Sequence, residues 1–167
     1  MQTISNTIKG VDTLTLSQKV INKIFQTDAN KATAVLRVVL GIVLFPHGAQ
    51  KLLGWFGGYG FNGTMGFLTG SVGLPWAFAL LVIIIEFFGS LALIFGFATR
   101  VVAVGVIALF TGIILTSHIQ NGFFMNWAGS QSGEGYEFHL LIIGIAITLL
   151  VGGAGRWSVD RALQSKS

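Results

Sequence analysis

Residues 32–53 read ATAVLRVVLGIVLFPHGAQKLL, long enough to cross the ~30 Å hydrocarbon core of a bilayer as one helix, for which ~20 residues suffice. The run is apolar apart from Thr33, Arg37, His47, Gln50 and Lys51, and it carries Pro46 one residue before the histidine. On a helix His47 and Lys51 lie one turn apart and share a face. Ionisable side chains within a span are costly to bury and point by default to a functional site. The stretch predicts a membrane-spanning helix with a polar site near its end. Pro46 has no N–H to give the carbonyl of Ile42, which predicts a kink beside His47.

The rest of the chain agrees with a membrane setting. Its 167 residues are 53% hydrophobic and 10% charged, against about 25% charged in a soluble domain. This length holds one domain of several spans. The net charge of +4 does not indicate nucleic acid, because the basic residues are scattered at span ends and form no patch with stacking aromatics. Cysteine is absent, so any thiol–disulfide chemistry or thiolate-bound cluster would belong to a partner.

Four spans are predicted, at about 32–53, 74–97, 100–119 and 136–153. They form an all-α polytopic membrane protein, an antiparallel four-transmembrane-helix bundle occupying 32–153. The joint Gly96-Phe97-Ala98-Thr99-Arg100 is a tight turn, which makes the second and third helices antiparallel neighbours. Residues 54–73 and 121–135 are longer loops rich in glycine and aromatics, suited to the headgroup level. Residues 1–31 form an N-terminal segment in which Val20, Ile21, Ile24 and Phe25 recur at helical spacing beside Lys19 and Lys23. That pattern fits an amphipathic surface helix. Residues 154–167 form a C-terminal tail.

Basic residues at 9, 19, 23, 31, 100, 156, 161 and 166 fall on one side of this topology, with Arg37 close enough to snorkel to it. Both termini are therefore expected in the cytoplasm, with the protein in a bacterial inner membrane. At about 1.5 Å of rise per residue, His47 lies roughly 9 Å and Lys51 roughly 3 Å below the outer end of their helix, and Glu86 roughly 18 Å below the outer end of the next. Thr111 and Ser90 are the expected polar neighbours of Glu86. His118, Glu137 and His139 open or close their helices on the outer side. Facing positions of a bundle build sites together. His47, Glu86 and His139 are the candidate catalytic residues, and Lys51, His118 and Glu137 the candidate substrate-binding ones. The spacing of the three histidines provides no ligand motif, so haem and metal are not expected.

At these residues the chain resembles the DoxX family of small four-helix membrane proteins. The resemblance is carried by Leu36-Arg37-Val38-Val39-Leu40-Gly41, His47-Gly48-Ala49-Gln50-Lys51-Leu52, Gly54-Trp55-Phe56-Gly57-Gly58, Glu86-Phe87-Phe88-Gly89, Gly96-Phe97-Ala98-Thr99-Arg100, Gly135-Tyr136-Glu137-Phe138-His139-Leu140 and Gly155-Arg156-Trp157-Ser158-Val159-Asp160. It implies a membrane component of redox systems, associated with quinone-linked thiosulfate oxidation and with thiol balance under oxidative stress. It assigns no catalytic role to a residue. Three functional readings follow. The first is an oxidoreductase subunit with a quinone headgroup among His47, Lys51, Glu86 and His139 and a redox partner protein as electron source, since the chain has no flavin fingerprint or cluster ligands. The second is a non-enzymatic anchor or assembly subunit, and the third a small transporter or proton pathway. Oligomeric state is not specified by the sequence.

Overall fold

The computed structural model describes residues 15–164; the expectations that concern 1–14 and 165–167 lie outside the described residues. The described residues contain helices and no strand. Helix α1 (Leu16–Phe25) starts at Thr15 with a capping box, in which the Thr15 hydroxyl accepts from Gln18 N–H and the Gln18 side chain accepts from Thr15 N–H. Three helices are long and apolar enough to cross a membrane: α2 (Lys31–Leu53), α4 (Trp76–Phe95) and α5 (Thr99–Asn121). A fourth, α6 (Glu137–Gly152), is apolar and shorter. The short helices α3 (Gly60–Gly66) and α7 (Val159–Gln164) lie at opposite ends of the bundle. The chain is thus an integral membrane protein built as a polytopic helical bundle.

The bundle consists of two closely packed pairs, α2 with α4 and α5 with α6, which meet along two seams. Glycine sets the first pair. A Cβ on Gly48 would lie 2.5 Å from backbone atoms of Glu86 and Phe87, and one on Gly41 would lie 2.8 Å from the Ser90 carbonyl oxygen. Without a side chain at these points the two backbones touch, which is how helices gain packing energy in lipid. The α4–α5 seam is also close, with Gly89 facing Val102 and Gly105 facing Ile85. Leu40, Leu44, Leu93, Val106, Phe110, Ile142 and Leu149 fill the interior between the pairs.

Helix α2 continues through Pro46 and ends at Gly54, whose left-handed backbone (φ 73°) closes the helix by donating its N–H to Ala49 C=O. The chain then makes a 3₁₀ turn at Trp55–Gly57, α3, and a π-helical turn at Phe67–Ser71 before α4 begins. This segment packs on α2 and offsets the ends of α2 and α4. Gly48 is level with Glu86, so α2 extends roughly 8 Å beyond that level and α4 roughly 15 Å.

At the end of the bundle where α1 and α7 lie, three charged side chains hold helix ends together. Arg37 is 1% exposed. Its guanidinium donates to Leu93 C=O (2.5 Å) and Ile94 C=O (2.6 Å), in the last turn of α4, and to Ala154 C=O (2.9 Å) and Trp157 C=O (3.1 Å) beyond α6. The snorkelling anchor expected from hydropathy is therefore a buried clasp. The correction has a physical cause: the final carbonyls of a helix lack intrahelical partners, and a planar five-donor group can satisfy several at once. Arg100 does the same for α6, donating to Leu150 and Val151 C=O and to Gln26 C=O. Asp160, also 1% exposed, accepts from the N–H groups of Ala98 and Thr99 at the start of α5. There an anion complements the helix dipole and holds Ala98 at φ 48°, a conformation that a residue with a Cβ resists.

Candidate functional site

A cavity of about 320 Å³ lies in the other half of the bundle, between the two helix pairs. Helix α2 contributes Val43, Leu44, His47 and Lys51; α4 contributes Glu86; α5 contributes Phe110, Ile113 and His118; α6 contributes Phe138, His139 and Ile142. Met125 and Glu134 of the 122–135 loop complete the lining. Five of the six sequence-derived candidates, His47, Lys51, Glu86, His118 and His139, thus line one space. Glu137 lies outside the lining. Its carboxylate accepts from Met125 N–H (3.1 Å), which fixes the loop residue that does face the cavity. Glu134, which hydropathy alone did not single out, lines the cavity through a loop with no helical period to reveal it.

Lys51 Nζ lies 2.5 Å from Glu86 Oε2, with the carboxylate side chain 5% exposed and the lysine side chain 28%. The helical-rise estimate had separated these residues widely in depth and given Glu86 Thr111 and Ser90 as neighbours. Both expectations fail for a definite reason. The helix ends are not level, and Gly48 brings Glu86 within one turn of Lys51. Thr111 faces outward while Phe110 faces the core, and the Ser90 hydroxyl donates to Phe87 C=O at 2.7 Å. Glu86 also sits in a π-helical turn, Ile85–Gly89, and His118 closes another, Ile114–His118. An inserted residue re-aims side chains locally, and such turns are frequent at functional sites.

The two interior histidines form a pair. The rings of His118 and His139 are 4.3 Å apart at 42°, with Phe110 5.7 Å from His139. His118 Nδ1 lies 2.7 Å from Glu134 C=O. A carbonyl can only accept, so this nitrogen carries the proton and Nε2 holds the lone pair of the neutral ring. His139 is 8% exposed, and its Nδ1 is buried without a hydrogen-bond partner. Buried polar atoms are nearly always paired, which makes this nitrogen an exception beside the cavity that His139 lines. Among the described residues no group of three His, Cys, Asp or Glu is placed to hold a metal ion.

A helical membrane bundle with an ionisable, half-enclosed site between its helix pairs is the class that fold and site define. The chain belongs to the DoxX family, whose model matches residues 32–119. It is 32% identical over 140 residues to "Putative oxidoreductase CatD" of Bacillus subtilis, covering 84% of this chain and 90% of that protein. It is 35% identical over 134 residues to "Inner membrane protein YqjF" of Escherichia coli, covering 79% of this chain and 92% of that one. No solved structure gives a significant match.

Proposed function

We propose that this protein is a membrane component of a redox system and that its cavity binds a quinone headgroup. The observation that carries this reading is the convergence of the Lys51–Glu86 pair, His118 and His139 on one apolar-walled space. The residues fit such a head: a cation and imidazole N–H groups to donate to carbonyl oxygens, a carboxylate to accept from the hydroxyls of the reduced form, and Phe110 and Ile142 to pack the ring. A quinone so held supplies two-electron, two-proton chemistry, with both electrons coming from a redox partner protein. Lys51 would offset charge developing on the ring oxygen. Glu86 and His139 would hold the transferred protons, and His118, bonded to the exposed loop, would connect them to water. The name of the Bacillus relative supports the redox assignment.

The name of the Escherichia relative supports an inner-membrane location, and the basic residues near the termini support a cytoplasmic face for that end. Helix α1, with Leu16, Val20 and Ile21 exposed, would then lie on the cytoplasmic lipid surface. Single cysteines at Asn62 and Ser130 should react with an impermeant thiol reagent in intact cells, and one at Gln164 should not; the opposite pattern refutes the orientation.

Binding is tested with purified protein and a short-tailed quinone, together with quinone analysis of its lipid extract. Wild type should bind, and Glu86→Gln and Lys51→Met should weaken binding by about tenfold or more, as loss of a charge-assisted hydrogen bond does. His47→Ala should weaken the same step, and its combination with Glu86→Gln should cost less than the sum if both act at one site. Absence of binding by wild type, or unchanged affinity in all variants, would sink the proposal.

A further inference from the structure

We infer that the cavity is entered sideways from the bilayer, through the seam between α2 and α6, and that its ligand is an amphiphile whose hydrocarbon tail stays in the lipid. This rests on the headgroup reading above and adds the route and the tail. The lining residues divide by exposure. Leu44, Glu86 and His139 are buried, whereas Val43, His47 and Phe138 are exposed lining residues, Val43 at 36% and Phe138 at 40% exposure. The exposed trio lies on α2 and α6, so the wall is open between those helices. The opposite seam, between α4 and α5, is closed at the level of Glu86 and below it by the close contacts of Gly105 with Ile85 and Gly89 with Val102.

What lies outside this mouth is apolar. Val35, Val39 and Val43 follow one another at four-residue spacing, so they form a single exposed ridge along α2 leading to the opening. On α6, Leu141 lies one turn from Phe138 and is more exposed still. A solute from water has no need of a mouth rimmed by valine and phenylalanine in the span of a membrane helix. The volume argues the same way. About 320 Å³ is at the low end of the ~300–1,000 Å³ that small-molecule sites occupy. It takes a ring-sized head and leaves no room for a long chain, which the valine ridge can accompany in lipid. A polar side remains at Glu134, where the loop meets water, so ligand and protons would reach the site by different routes.

The test compares two probes on the whole protein in lipid nanodiscs: decylubiquinone and its tail-less analogue 2,3-dimethoxy-5-methyl-1,4-benzoquinone. Val43→Trp fills the mouth, and Val35→Trp places the same bulk two turns away on the same ridge. Val43→Trp should weaken the tailed probe by at least about tenfold more than it weakens the tail-less probe, and Val35→Trp should change neither. If Val43→Trp affects both probes alike, or neither, sideways entry is wrong while the headgroup reading stands. If wild type binds neither probe, both fall together. A second measurement does not depend on how Val43→Trp folds. The chain has no cysteine of its own, so Val43→Cys should react with N-dodecylmaleimide dissolved in the bilayer faster than with a charged, water-borne maleimide. The reverse order overturns the inference.

Discussion

The two ends of the bundle treat charge in opposite ways. At the end that carries α1 and α7, Arg37, Arg100 and Asp160 donate to or accept from helix-end backbone groups, and among the buried side-chain atoms of the described residues there only the Thr99 hydroxyl lacks a partner. At the other end Lys51 and Glu86 have each other, while His139 has a nitrogen with nothing to bond. Charges bonded to helix-end backbone rigidify the fold, whereas the ionisable groups at the other end line a cavity. The contrast separates charges that close the fold from charges available for chemistry, although both kinds sit within or beside apolar helices.

Substitutions can break this contrast, and the largest effect should come from Arg37. Arg37→Leu strands the carbonyls of Leu93, Ile94, Ala154 and Trp157 and leaves Asp160 without its nearby cation. A loss of about 3–5 kcal/mol is expected, on the scale of breaking a buried charged network, seen as a collapse of the melting temperature in detergent and of membrane abundance. Arg37→Lys should rescue little, since an ammonium cannot span four acceptors. Should Arg37→Leu melt like wild type, the clasp is not structural.

A middle-sized effect should come from the Lys51–Glu86 pair. Lys51→Met leaves a buried carboxylate without its cation and should cost about 1–3 kcal/mol. The double variant Lys51→Met with Glu86→Leu should regain most of that stability, as replacement of whole buried pairs often does. It should nonetheless lose ligand binding. A double variant no more stable than Lys51→Met would mean that the pair holds the fold, which would erase the difference between the ends.

Smaller still is Asp160→Ala, expected to cost about 1–2 kcal/mol through loss of the α5 cap, read by thermal melting with quinone binding unchanged. The smallest change is His139→Phe. It removes an atom that has no partner, so stability should stay within about 0.5 kcal/mol of wild type, whereas binding should fall. A marked loss of stability would show that His139 Nδ1 is satisfied in the folded protein by bound water.

Much of the architecture is legible before any coordinates. Apolar runs of membrane length, separated by a five-residue turn and two glycine-rich loops, specify an all-helical polytopic bundle, because lipid leaves the backbone no way to pair except within each span. The candidate residues are also visible, since a histidine, lysine or glutamate inside such a run stands out against it. Hydropathy says nothing, however, about what each charge touches. Arg37 and Lys51 look alike as basic residues near opposite ends of one span, yet one is bound by carbonyls of α4 and the segment after α6, and the other faces a cavity.

Those assignments depend on helix stagger and rotation, which are set by contacts between elements far apart in the chain. Gly48 against the backbone of Glu86, the folded 54–75 segment that offsets α4 from α2, and the π-helical turns at Glu86 and His118 together decide that Lys51 reaches Glu86 and that the two imidazoles pack side by side at a tilt. The sequence alone determined that the chain is a helical membrane bundle carrying ionisable groups in its spans, because bilayer thickness and backbone hydrogen bonding act on each segment separately. Only the tertiary structure decided which of those groups close the fold and which surround the cavity, because a side chain's partner across a helix interface is fixed by axial offset and rotation, and neither is written in the hydropathy of a single span.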